Sequence, residues 1–135
     1  MIGLYIETKH PSYHRSLGLA MDEALVGLLE RNGLSGKGAR IFIESFEVGN
    51  LQRLHRLTDL PLIQLVDASG HPADRPAEES YAAMVTPAGL AAIRRYAAGI
   101  GPAKALIVPR DPAGRSLAAT SLVRDAHKAG LLVHP

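Results

Sequence analysis

Apolar positions in this chain fall into short runs separated by longer stretches with helical spacing. Ile2–Glu7 reads as a first strand. Between Ser16 and Asn32, Leu17, Met21, Ala24, Leu25 and Leu28 recur at intervals that put them on one helix face. Gly33 follows where a left-handed residue ends a helix. Ala39–Phe46 is a second strand, and Val48, Leu51, Leu54 and Leu57 mark a shorter helix. Leu62–Val66 is a third strand, and Ala68–Ser80 is a loop rich in Pro, Asp and Ser. Thr86–Pro87 pairs an N-cap with proline at N1 and opens a helix through Leu90, Ile93 and Ala97, stopping at Gly99. Ile100–Gly101 and Ala105–Val108 read as extended, Ser116–Lys128 as a last helix stopped by Gly130, and Leu131–His134 as a last strand.

The order β-α-β-α-β-α-β-α-β predicts parallel strands joined by crossover helices. The strands are nearly all apolar, as strands covered on both faces are. A dinucleotide-binding domain would carry a GxGxxG after its first strand, and none stands there. A (β/α)8 barrel takes about 250 residues, and 135 is roughly half. Both ends of the chain fall in strands. The expected fold is therefore α/β, a partial (β/α)8 TIM barrel of about five parallel strands. Residues 1–135 would form its central segment, with the N-terminal and C-terminal strands lying outside the sequence.

Composition narrows the function. Lys and Arg number 15 against 13 acidic residues, a net of +2 with no long basic block, and aromatics are 4%. A nucleic-acid surface needs clustered cations and stacking rings, so no nucleic-acid partner is expected. With no cysteine, disulfides and thiolate metal sites are excluded. No apolar run approaches the ~20 residues of a membrane span, and no signal-peptide pattern follows Met1.

Candidate chemistry gathers at strand ends. Glu7 and Lys9 are two apart, so a strand points both to one face with Gly3 and Tyr5, opposite Leu4 and Ile6. The C-terminal end of a parallel strand is where barrel active sites are built. A carboxylate there suits a hard divalent cation and a lysine suits a phosphate oxygen; the plainer reading is a solvated ion pair. His10 and His14 flank Pro11, which reads as a loop and removes the meaning of an HxxxH spacing. His55 and His127 fall in helices as surface residues, and His71 lies in the loop. His134, at the tip of the last strand, reads either as a residue of the catalytic face or as an ordinary strand-end histidine. The stretch from Asn32 to Gly38 lacks the order of a P-loop and reads as a helix-to-strand turn at the opposite end of the sheet. Gln64, mid-strand among apolar residues, needs hydrogen bonds, from an inward polar network or a ligand. One or more of Glu44, Ser45 and Phe46 should face the mouth.

The run Glu7-Thr8-Lys9-His10-Pro11-Ser12-Tyr13-His14 resembles the glycerophosphodiester phosphodiesterase family, in its longer bacterial subtype. The likeness continues at Ser45-Phe46, Leu62-Ile63-Gln64-Leu65, Tyr96-Ala97-Ala98-Gly99-Ile100-Gly101-Pro102 and Leu132-Val133-His134-Pro135, in family order. The resemblance implies a TIM barrel that uses a divalent metal (Ca2+ or Mg2+) to hydrolyse a small-molecule glycerophosphodiester to an alcohol and glycerol 3-phosphate. It matches Glu7 to a metal-binding carboxylate, Lys9 to a lysine facing the phosphate, and Phe46 and His134 to positions near the substrate. It implies periplasmic or secreted location. The family's His-Arg-Gly opening, Glu-x-Asp metal pair and second catalytic histidine would precede Ile2, and its last strand would follow Pro135. The chain alone is then expected to be inactive and to self-associate through open strand edges. A non-catalytic half-barrel for binding or scaffolding is the alternative, and a sphingomyelinase D-like metal-dependent barrel a more distant one.

Overall fold

The computed structural model describes residues 3–36 and 38–135. The expected start of the first strand at Ile2, and Lys37 of the glycine-rich turn, lie outside the described residues. The chain alternates strand and helix: β1 Leu4–Glu7, α1 Pro11–Ser16, α2 Met21–Arg31, β2 Ile41–Ser45, α3 Val48–Leu57, β3 Leu62–Val66, α4 Tyr81–Met84, α5 Pro87–Ile93, β4 Gly99–Pro102, α6 Lys104–Ile107, α7 Leu122–Lys128 and β5 Leu132–Val133. All four strand pairings are parallel, in the order β1-β2-β3-β4-β5. This is the open α/β sheet of a partial TIM barrel.

Helices cover one face. Ile41, Ile43, Leu62 and Ile100 point outward from the sheet into a core with Val26, Leu29, Leu51, Leu54, Leu90, Ile93 and Ala126. The period of two then sends Tyr5, Glu7, Phe42, Glu44 and Leu65 to the opposite, concave face. That face curls. β1 and β5 are the two edges of the described sheet, which four flat strand spacings would set roughly 19 Å apart. Yet Tyr5 Oη and His134 Nδ1 are hydrogen-bonded at 2.7 Å, and Phe42 stacks on Tyr5 and meets His134 edge-on. Aromatic side chains from β1, β2 and the end of β5 thus bridge this face. Gly99 and Gly101 of β4 make room there, because an added Cβ would lie 2.9 Å from Ile63 Cδ1 at the first and 2.6 Å from Leu65 Cδ2 at the second.

Several boundaries differ from expectation. The helix expected from Ser16 to Asn32 is two helices. Gly18, at φ 77°, ends α1 with the Gly18 N–H donating to Arg15 O and the Leu19 N–H to His14 O, the Schellman pattern. Gly33 and Gly130 end α2 and α7 in the same way. The loop expected after His10 is helical, because Pro11 occupies N1, where its missing N–H costs nothing. Of Ala105–Val108, expected extended, residues 105–107 lie in α6 and Val108 is its extended C-cap. Residues 116–121, expected helical, are an irregular segment bridged from Ser116 to Arg110. There Asp111 accepts from the Ala113 and Arg115 N–H groups, and Thr120 donates to Leu106 O. Such local side-chain bonds compete with helix. The helix opened by Thr86 ends at Ile93, and Gly99 begins a strand instead of stopping a helix.

Candidate active site

The site is built where β1, β2 and β3 end. β1 and β2 are in register with Glu7 directly opposite Glu44, so two carboxylates meet on the concave face at the C-terminal edge. The Lys9 ammonium donates to Glu7 Oε2 at 2.6 Å. Burial pushes the Glu44 carboxyl above the ordinary glutamate range, the Glu7 charge pushes it further, and Lys9 partly offsets both. Glu44 acts in turn on Tyr5, whose phenol is pushed up to about 12, mostly by burial. The structure thus places Glu7 and Lys9 together, on the face opposite Leu4 and Ile6.

Two neighbouring hollows share this edge. One, of roughly 300 Å³, has Glu7, Lys9, His10, Phe46, Asp67 and His71 on its walls. The other, of roughly 410 Å³, is lined by Tyr5, Glu44, Phe46, Asp67, Gly101 and His134. Phe46 and Asp67 belong to both, so Phe46 stands at the rim between them; its ring also packs edge-on against Tyr81. Of the four residues singled out in the sequence, Glu7 and Lys9 line the first hollow, His134 the second, and Phe46 both.

The structure adds residues that spacing did not supply. Glu44 was one of three options at the end of β2, and its partner Glu7 is 37 positions away in sequence; only strand register joins them. Asp67 directly follows β3, a signal legible in hindsight. His10 and His71, which spacing reads as loop residues, also line the first hollow. His10 adopts φ 48°, the one non-glycine residue with positive φ among those described. Gln64 is on the helix side and not in the mouth. Its amide donates to Phe46 O at 2.9 Å and Leu65 O at 3.0 Å, and its Oε1 accepts from Tyr96 at 2.9 Å. It is a core network with no part open to a ligand, which corrects the inward reading. Burial pushes the Tyr96 phenol upward, consistent with that bond staying protonated.

The sequence profile of the Glycerophosphoryl diester phosphodiesterase family matches residues 2–135. The chain belongs to this family. A glycerophosphodiester phosphodiesterase from Arabidopsis thaliana, GDPD6, is 31% identical over 147 residues, an alignment that takes in 100% of this chain and 39% of the relative. A crystal structure from Agrobacterium tumefaciens, provisionally assigned as a glycerophosphoryl diester phosphodiesterase, superposes with TM-score 0.54 at 19% identity, over 84% of this chain and 37% of the other. The chain spans about two fifths of the length of these relatives, and the structural likeness carries the fold. Among the described residues, no helix is long and apolar enough to cross a membrane.

The donor set can be weighed against the divalent metal that the family resemblance implies. Among the described residues no group of three or more His, Asp and Glu side chains is gathered to hold an ion. Two carboxylates are, however, opposed on one face with a single ammonium beside them. Mg2+ is commonly held by one or two carboxylates together with water and substrate phosphate, and Glu7 with Glu44 fits that pattern.

Proposed function

We propose that this chain forms part of the active site of a metal-dependent phosphodiesterase that hydrolyses glycerophosphodiesters to an alcohol and glycerol 3-phosphate. The observation that carries the reading is the Glu7–Lys9–Glu44 cluster at the C-terminal edge of a parallel sheet, in a chain of this family. Glu7 and Glu44 would hold a divalent cation. When bound, the cation would neutralise phosphoryl charge and lower the pKa of an attacking hydroxyl. Lys9 is held at the rim by Glu7 and is mostly exposed, so its ammonium is free to meet a phosphoryl oxygen whose charge grows in the transition state. Phe46 offers an apolar wall and His134 a polar one, held by Tyr5. In this reading the residues that transfer protons come from elsewhere in a longer barrel, and the 135-residue chain alone does not turn over.

In the longer protein, Glu7→Gln should abolish metal-dependent hydrolysis of glycerophosphocholine, followed by coupled detection of glycerol 3-phosphate. Lys9→Ala should lower turnover by roughly 10²–10³. Rates for Glu7→Gln near those of the unaltered protein would show that the metal lies elsewhere. Turnover by purified, monomeric 135-residue chain would overturn the assignment of proton transfer to other segments. A non-catalytic half-barrel is the second reading, favoured by the lack of a three-ligand metal group among the described residues. Failure of the chain to bind Ca2+ or Mg2+ in a calorimetric titration would support it.

A further inference from the structure

A buried polar chain runs from the helix layer to the residue between Glu7 and Lys9. Thr8 points away from the concave face and is 6% exposed. Its hydroxyl donates to Asn50 Oδ1 of α3 at 2.6 Å. The Asn50 amide donates to Asp22 Oδ1 of α2. Asp22 Oδ2 accepts from Arg53 Nε at 2.6 Å and from Arg15 of α1. Asn50 and Asp22 are sealed from solvent, at 0% and 1% exposure. The Thr8 backbone is held as well: its N–H donates to Glu44 O at 3.0 Å, and its carbonyl accepts from Ser45 Oγ at 3.3 Å.

A buried ionic cluster is weak evidence for stability by itself. Buried ionic groups of this kind can often be replaced by packed apolar side chains at little or no loss of stability. The place where the chain ends is more telling. Thr8 is the first residue beyond the ladder that pairs β1 with β2. The alternation of side chains means that a bond to Thr8 from behind fixes the directions in which Glu7 and Lys9 point in front. Residues that orient metal ligands from behind commonly change metal affinity 10- to 100-fold when altered.

We propose that Thr8 is a positioning residue for Glu7 and Lys9, and that Asn50 and Asp22 fix it in turn, so that three helices and the site share one hydrogen-bonded frame. The inference rests on the reading of Glu7 as a cation ligand, and its test separates the two. Ca2+ binding to the 135-residue chain is measured by calorimetry below the unfolding transition, and hydrogen exchange of the Gly3–His10 segment by mass spectrometry. Thr8→Val, which keeps the shape and loses the hydroxyl, should weaken Ca2+ binding about 10-fold or more and speed exchange of that segment, with β3 unchanged. Thr8→Ser should restore both to within about threefold. Asp22→Asn, which acts from the far end, should shift both in the same direction by less, and it carries the test if Thr8→Val fails to fold. A lowered Tm with affinity and segment exchange unchanged would make the network purely structural and overturn the inference. So would a serine variant that behaves like valine. If Glu7→Gln binds Ca2+ as the unaltered chain does, the cation site is wrong, and exchange of the segment alone decides the role of Thr8.

Discussion

The two faces of this sheet are made by the same strands and obey different rules. On the convex face, Ile41, Ile43, Leu62 and Ile100 alternate with nothing polar except Ser45 and Gln64, both buried and hydrogen-bonded. On the concave face the alternate positions are Tyr5, Glu7, Phe42, Glu44, Ile63 and Leu65; Ile63 is buried, the others are partly open, and two of them are carboxylates. One residue of register separates a position that must pack from a position that is free to do chemistry. Convex side chains are fixed by their helices. Concave ones lean on each other, as Tyr5 does on His134 and Lys9 on Glu7, and remain available.

Substitutions across the two faces should therefore separate stability from function. The largest expected effect is on the convex side. Leu51→Ala, at a position with no exposure in α3, should cost about 2–5 kcal/mol in urea unfolding. A loss below about 1 kcal/mol would show that the helix layer is loosely packed. Gly99→Ala should follow, at about 1–3 kcal/mol, because the new methyl would lie 2.7 Å from the Leu132 carbonyl and β5 must move. Gly101→Ala meets mainly the end of the Leu65 side chain and should cost less; the reverse order would mean that β5 is not held where the register places it. Tyr96→Phe should cost about 1–3 kcal/mol by leaving Gln64 Oε1 unpartnered, with no change in cation binding, since Gln64 faces the helices. Tyr5→Phe breaks a half-exposed bond on the concave side and should cost no more than about 1 kcal/mol.

The smallest effect has the opposite sign. Glu44 holds its proton to higher pH in the folded chain than in the unfolded one, by burial and the nearby Glu7 charge. As pH rises past the ordinary glutamate value of 4.5, the unfolded chain releases that proton first, and stability is lost until the folded group has also ionised. Glu44→Gln should therefore raise Tm by a few degrees at most at pH 7. The gain should vanish below pH 4.5. Thermal melts of both proteins from pH 4 to 7 in chelator check this; a gain that grows on acidification would reverse the assigned cause.

Some of this was written into local sequence. Strand-to-helix alternation, the Thr86–Pro87 helix start, the Gly33 stop and the shared face of Glu7 and Lys9 all follow from spacing and backbone preference over a few residues. The split of α1 from α2 was legible too, in Gly18, but the apolar period running through it masked the break. Ala105–Val108 and residues 116–121 differ from expectation because contacts across the intervening loop set their structure, Thr120 to Leu106 and Ser116 to Arg110, and propensity sees neither.

Sequence by itself determined the alternation of strand and helix, the expectation of parallel order and the shared face of Glu7 and Lys9, because backbone geometry imposes periods of two and 3.6 wherever the pattern is clear. Only the tertiary structure decided which side chains meet. Glu44 stands opposite Glu7 because parallel register sets it there, and Tyr5 reaches His134 because the sheet curls. Gln64 turned out to belong to the core because helices lie on its side of β3. Pairings across long sequence separations are set by packing, curvature and register together, and none of these is a property of a short stretch of chain.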